Sequence, residues 1–311
     1  MYLLLLAFFA LYIVYQGSAF SIIFGALAFL ILIVLLVMEF VISGKQEGYG
    51  KSLLEIAIAI AIIGGLWITM VYALNTSDPL DVVPSCSMLP ALDRGDLIIL
   101  HGVSPAALRA PVVNISRSSF DSMVGDMPSE ALVCLYYARG QNGQGQVSQY
   151  EQPGSALGLF RFTGTAYEQV QSQPSTNLVQ YECGAQPVRT PTGIVNEAYT
   201  KSITINGTTV GEDLNNSIIV YRTVPQDYFY SLGDAFVVHR VYALLNVSGS
   251  YYALTKGDNN PGLDMQYLNY PISANDISGT TIFSIPYLGY LKIVVSGQLS
   301  QPSGCNTTVI H

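Results

Sequence analysis

The amino-acid sequence predicts N-terminal membrane-spanning helices followed by a mainly β domain that carries a large β-rich insert. Three observations predict this class. Half of the residues are hydrophobic and only 11% are charged, far below the roughly 25% of an ordinary soluble domain. The longest apolar runs are concentrated before residue 75. After them the chain breaks into short Val-, Ile- and Tyr-rich runs separated by Gly, Pro, Asn and Ser, the pattern of strands and turns.

Residues 1–42 contain a single charged side chain, Glu39, and the stretch is about twice the roughly 20 residues that span a bilayer. It therefore reads as two segments, 2–15 and 19–42, joined by a tight turn at Gln16-Gly17-Ser18. The first is short for a span, so the anchor over 1–75 holds two or three. No basic region precedes that segment and no small-residue cleavage site follows it, which argues against a cleaved leader. Residues 53–74 form the clearest span, with Trp67 and Tyr72 toward its end, where amphipathic rings favour the interface. Lys45 and Lys51, two of only five lysines, lie in the loop between the second and third segments. Basic loops stay in the cytoplasm, so everything after residue 75 is expected outside. Asn-x-Ser/Thr acceptors at Asn75, Asn114, Asn206, Asn215, Asn246 and Asn306 all fall on that side.

A net charge of −8 leaves no basic footprint. This excludes nucleic acid as a partner and argues against docking on anionic headgroups through a basic patch. The four cysteines, Cys86, Cys134, Cys183 and Cys305, would all be extracytoplasmic, where disulfides are permitted. Three connectivities exist; Cys134 with Cys183 is favoured because both lie in the insert. Their spacings give no C-x-x-C zinc pattern.

Strands are expected at 97–100, 132–137, 217–224, 235–245, 250–255 and 291–295. No strong 3.6-residue periodicity follows residue 75. The exterior domain comprises 76–102 and 216–311, interrupted by an insert over 103–215. Within the insert, the Gln/Gly-rich stretch 139–149 reads as a loop, flanked by strand-like segments of a second small β unit whose role the residues do not give.

Three short elements carry the chemistry: Ser85-Cys-Ser-Met-Leu-Pro90, Val237-Val-His-Arg-Val241 and Leu254-Thr-Lys-Gly-Asp-Asn-Asn-Pro-Gly-Leu-Asp264. Peptide hydrolysis by covalent catalysis needs a nucleophile, a neighbouring base, a group that orients the base, and donors for the developing oxyanion. Ser87 supplies a hydroxyl after a turn-prone segment. The chain has only three histidines, His101, His239 and His311. His239 is the candidate base, because imidazole near neutral pH can accept a proton and return it; on its apolar run alone it would read as a core residue.

In this order the three elements resemble the type I signal peptidases, specifically the archaeal and endoplasmic-reticulum branch, in which histidine stands where most bacterial enzymes carry lysine. The resemblance covers 82–100 and 216–296. It implies a mainly β extracytoplasmic catalytic domain of signal-peptidase type in a multi-pass protein of the cell membrane. It also implies a serine endopeptidase that cuts N-terminal signal peptides from preproteins after small residues at −1 and −3, without metal or organic cofactor. Its implied partners are signal-peptide-bearing preproteins and the lipid bilayer, with the protein-export translocon as a candidate neighbour. By the resemblance Ser87 is the nucleophile, Ser85 the hydroxyl that assists the oxyanion hole, His239 the base and Asp264 the acid. Asp258 is the alternative acid, its other role being to brace a turn. Neither Lys256 nor Lys292 stands at the family's lysine position. Residues 93–96 match the family's charged Gly-Asp step and 284–290 the segment closing its catalytic domain. Departures are Cys86 in place of a glycine, read as a small filling residue, Asn216-Ser217 in place of Gly-Asp, and the insert. Two rivals remain open: an inactive relative that binds partners through its insert, and a protease for pilin or surface-layer precursors.

Overall fold

The computed structural model describes residues 1–311 except 16–18, 126–129, 140–144, 172, 174–177, 299–301 and 303. Three helices open the chain: α1 (Tyr2–Val14), α2 (Ala19–Glu47) and α3 (Tyr49–Ala73). The second and third are long and apolar enough to cross a membrane. The 13 residues of α1 reach only about 20 Å at 1.5 Å per residue, short of a hydrocarbon core of about 30 Å. It lies along α2, with Phe8 on Phe24 and the Tyr12 ring over Gly25. The turn expected at 16–18 lies outside the described residues. The loop expected around Lys45 and Lys51 is instead almost wholly helical, because Lys, Gln and Glu are good helix formers. Only Gly48 interrupts it, at φ 92°, a conformation open to glycine.

The β domain continues with β1 (Leu80–Val82), β2 (Leu97–His101), β3 (Val112–Ile115), α4 (Arg117–Gly125), β4 (Leu132–Arg139), β5 (Gly145–Ser148), β6 (Ala156–Phe162) and β7 (Tyr167–Gln169). Next come β8 (Val179–Thr190), β9 (Gly193–Ile205), β10 (Thr208–Gly211), β11 (Ile218–Arg222), α5 (Tyr228–Ser231), β12 (Phe236–Val247) and β13 (Ser250–Lys256). The chain ends with β14 (Ile272–Ser273), β15 (Ile277–Ile285), α6 (Tyr290–Val295) and β16 (Thr308–Val309). The main sheet runs β1-β2-β15-β11-β12-β13-β14, and β3 adds in parallel to the far half of β12. Two smaller antiparallel sheets, β10-β9-β8-β16 and β5-β4-β6-β7, come largely from the insert.

The expected strands at 97–100, 132–137, 217–224, 235–245 and 250–255 coincide with β2, β4, β11, β12 and β13. The run 291–295 is the helix α6 instead. A short apolar run fits either state, and here only Ile293 is buried while Leu291 and Val295 stay exposed. A strand would have turned all three to one face. The long hairpin β8–β9 was not foreseen, because Gln, Glu, Arg, Lys and Thr on its open face mask the alternation.

The segment 103–215 does not pack by itself. Its Val113, Ile115 and Phe120 share one core with Tyr242, Leu245, Leu254 and Leu263 of the surrounding domain. The favoured disulfide Cys134–Cys183 is present and ties β4 to β8. Helix and sheet are coupled where α3 ends: the Gly102 N–H donates to Leu74 O at 2.8 Å, and the Thr76 hydroxyl to Ser278 O at 2.7 Å. Close by in the chain, Ile282, Phe283, Tyr287, Leu288, Leu291 and Val295 are exposed, and the Tyr12 hydroxyl of α1 donates to Val295 O.

Gly102 leaves no room at this junction: a Cβ there would lie 1.9 Å from Asn75 O. Gly102→Ala is therefore expected to destabilise the β domain by about 1–3 kcal/mol, read from denaturant unfolding of the detergent-solubilised protein. Unchanged unfolding would show that the junction yields.

Candidate active site

Ser87 sits in the turns between β1 and β2. Met88 beside it is fully buried, with Val83, Leu92, Ile98 and Leu100, so the loop is anchored by its apolar neighbours. His239 lies in β12 and is itself 3% exposed. Its Nε2 is 3.1 Å from Ser87 Oγ and its Nδ1 is 2.7 Å from Asp264 Oδ2. Ser85 Oγ stands 3.1 Å from Ser87 Oγ. The structure thus brings Ser85, Ser87, His239 and Asp264 into one hydrogen-bonded chain.

Asp264 is 2% exposed, in the loop after β13. Its Oδ2 also accepts from the Tyr221 hydroxyl at 3.0 Å and the Thr255 hydroxyl at 2.6 Å. Burial, reinforced by the Asp264 charge, pushes the Tyr221 hydroxyl well above the ordinary tyrosine range, so it remains a donor. The Asn269 side chain donates to the Asp264 carbonyl at 3.0 Å and fixes its backbone. With the carboxylate on Nδ1, the imidazole presents Nε2 to the serine as an acceptor, the arrangement by which a base is held in one tautomer.

Asp258 is not part of this chain. It pairs bidentately with Arg240, at 2.8 Å from Nε and 2.7 Å from Nη2, and Arg240 Nη1 reaches the carbonyls of Leu214 and Asn216. Asp258 braces the loop against the end of the insert. Lys256, 2% exposed, is bound to Glu212 at 2.8 Å, and Lys292 to Asp81. Residues 93–96 form the turn into β2, with Gly95 at φ 93° and Asp96 Oδ2 accepting from the Asp93 N–H.

Cys86 is corrected from a small filling residue to half of a disulfide with Cys305. The two are 219 residues apart, a distance over which spacing carries no signal. Asn259 completes the same clamp. Its N–H donates to Ser87 O at 2.7 Å, and its side chain donates to the carbonyls of Cys86, Gly304 and Thr307. The tail then joins the insert sheet as β16 beside β8. Tyr221, Thr255, Asn259 and Phe229 are site residues that the sequence reading missed. Thr255 and Asn259 carried a cue, since both lie inside the third element. The Phe229 ring stands edge-on to His239, centroids 5.9 Å apart.

A cavity of about 150 Å³ opens beside the serine, lined by Val83, Pro84, Ser85, Ser87, Phe229, Phe236, Val238 and His239 among others. Along its wall β12 has a one-sided partner: residues 236–240 pair with β11, while pairing with β13 begins only at Arg240. Among the described residues, no strand covers the other edge of 236–239.

No family model, curated protein or solved structure matches this chain.

Arg240→Met would strand a buried carboxylate on Asp258, and a loss of about 3–5 kcal/mol is expected, with most of it recovered in Arg240→Met/Asp258→Leu; chemical denaturation reads both. Equal stability of single and double variants would contradict a buried pair. Breaking Cys86–Cys305 with Cys305→Ala is expected to cost about 2–4 kcal/mol, and non-reducing peptide mapping of the unsubstituted protein should return Cys86 with Cys305 and Cys134 with Cys183.

Proposed function

We propose that this chain is a membrane-bound serine endopeptidase that removes N-terminal signal peptides from exported preproteins. The observation that carries the reading is the Ser87–His239–Asp264 relay, at 3.1 Å and 2.7 Å, in a chain with two membrane-length helices. In this reading Ser87 Oγ attacks the scissile carbonyl while His239 Nε2 takes its proton. Asp264 stabilises the imidazolium and does not itself take the proton. The Ser87 N–H and the Ser85 hydroxyl receive the oxyanion. Collapse expels the amine, which takes its proton from His239, and water activated by the same imidazole then releases the acyl chain from Ser87. The reaction needs no metal or organic cofactor.

The open edge of β12 suits an extended substrate, which adds to the sheet through backbone hydrogen bonds. The cavity of about 150 Å³ suits a short side chain at −1, because Val83, Phe236 and Val238 crowd it. Two disulfides in the β domain favour an oxidising exterior. Lys45 and Lys51 stand at the opposite end of α2 and α3 from the sheet, as expected for a cytoplasmic hairpin. The exposed apolar residues at 282–295 face the bilayer in this arrangement. Tethering then brings the serine to the level at which a signal peptide's cleavage site emerges, which replaces part of a three-dimensional search. The lipid bilayer is thus a working partner, and the translocon a candidate neighbour. A protease for pilin or surface-layer precursors would use the same site and differ only in what enters it.

The test is cleavage of membrane-presented preproteins by the solubilised full chain. Ser87→Ala and His239→Ala are each expected to abolish cutting, and Asp264→Asn to lower kcat by about 10⁴-fold. Equal cleavage by Ser87→Ala, or no cleavage of any preprotein by the unsubstituted chain, would overturn the reading.

A further inference from the structure

A larger cavity, of about 610 Å³, lies where the insert meets the loops of the relay. Phe162 and Tyr167, at the β6–β7 hairpin, form its insert wall together with Val133, and Tyr228, Tyr267 and Leu268 form the opposite wall. The volume is that of a pocket for a sizeable ligand rather than a packing defect. Its aromatic surfaces are open: Phe162 is 36%, Tyr167 44% and Tyr228 46% exposed. The rings of Phe162 and Tyr167 support each other at 5.0 Å between centroids. Glu130 at the rim is within 3.7 Å of Arg161, so the recognition on offer is apolar.

Both relay-side walls are continuous with the catalytic groups. Tyr267 and Leu268 follow Asp264 within the same loop. Tyr228 precedes Phe229, whose ring lies against His239, and the Tyr228 N–H donates to Leu268 O at 3.2 Å. The direction of the substrate follows from the chemistry. The imidazole must deliver its proton to the leaving nitrogen, so in the endopeptidase reading the chain beyond the cut leaves on the His239 side, where the Phe229 ring stands. The acyl side runs the other way, along Val83, Pro84 and Phe236, toward a second cavity of about 220 Å³ bordered by Asp81, Lys292 and Ile293 at α6. The downstream chain is therefore the part that reaches the insert.

We propose, resting on the endopeptidase reading, that this cleft is an exosite for a bulky apolar or aromatic side chain of the substrate, downstream of the scissile bond. Passing α5, about 10 Å across, takes roughly three residues of extended chain at about 3.3 Å each. The recognised side chain then lies about three to six positions beyond the cut. The insert thereby acquires a role in selecting the mature region of the preprotein.

The experiment compares two membrane-presented peptides that share one cleavage site and differ downstream, one carrying Phe at these positions and the other Ser. With the unsubstituted full chain the Phe peptide is expected to show a KM about tenfold lower, the scale of burying one aromatic side chain, at similar kcat. Phe162→Ser and Tyr167→Ser should bring that KM ratio close to one. Ile194→Ser, an exposed position on the other insert sheet, should keep it. Unchanged melting temperatures would exclude unfolding of the two cleft variants. As a readout free of turnover, a fluorescent Phe-bearing downstream fragment should bind Ser87→Ala protein and lose binding when Tyr167→Ser is added. Equal KM for the two peptides in the unsubstituted chain would overturn the exosite while leaving the endopeptidase reading standing. Cleavage of neither peptide would overturn both.

Discussion

A carboxylate can be taken out of water only where donors meet it, and the burial of Asp264, with three donors on its Oδ2, organises the half of the β domain that holds the relay. Its three side-chain donors come from three neighbouring strands, Tyr221 from β11, His239 from β12 and Thr255 from β13. The sheet register makes this possible. Tyr221 pairs with Val237 and Thr255 with Val241, the residues two before and two after His239. Side chains at such positions share one face of a sheet. A slip of one residue in either pairing would turn a donor to the opposite face and leave a buried negative charge short of partners.

Alternation gives the other face a different task. Arg240, next to His239, and Lys256, next to Thr255, are register partners, and both cations are buried. Arg240 is met by Asp258 and by carbonyls at the end of the insert, Lys256 by Glu212. On the Asp264 side, Gln266 accepts from the Thr200 hydroxyl of β9 and donates to Leu132 O at the start of β4. The insert is thus fastened to both sides of the segment that carries the acid. It is part of the support for the relay, which explains why it shares a core with the surrounding domain instead of forming its own.

What could be read from the residues and what could not divides along physical lines. The hydroxyl, the imidazole and the carboxylate stand in short local patterns, so Ser85, Ser87, His239 and Asp264 were legible, and the apolar helices declared themselves by length. Asp264 was preferred to Asp258 through the family resemblance alone, because the residues by themselves do not say which carboxylate faces imidazole and which faces guanidinium across a strand. Cys86 was misread because its partner is remote. Tyr221 and Thr255 look like ordinary strand residues and become donors only through register. The helix at 290–295 and the hairpin β8–β9 escaped because burial, not propensity, decides the first and an open polar face hides the second.

The clamp between Cys86 and Cys305 has a consequence for the order of events in biosynthesis. A chain made from its N-terminus offers Ser87 early, followed by His239 and Asp264, whereas Cys305 and the strand that docks beside β8 arrive after all of them. The covalent closure of the serine loop therefore follows the synthesis of both segments that carry the relay. A chain that has not yet reached Cys305 holds that loop by Met88 and Asn259 but without its disulfide. The last fastening of the serine loop is thus supplied by residues made after Ser87, His239 and Asp264 have all emerged.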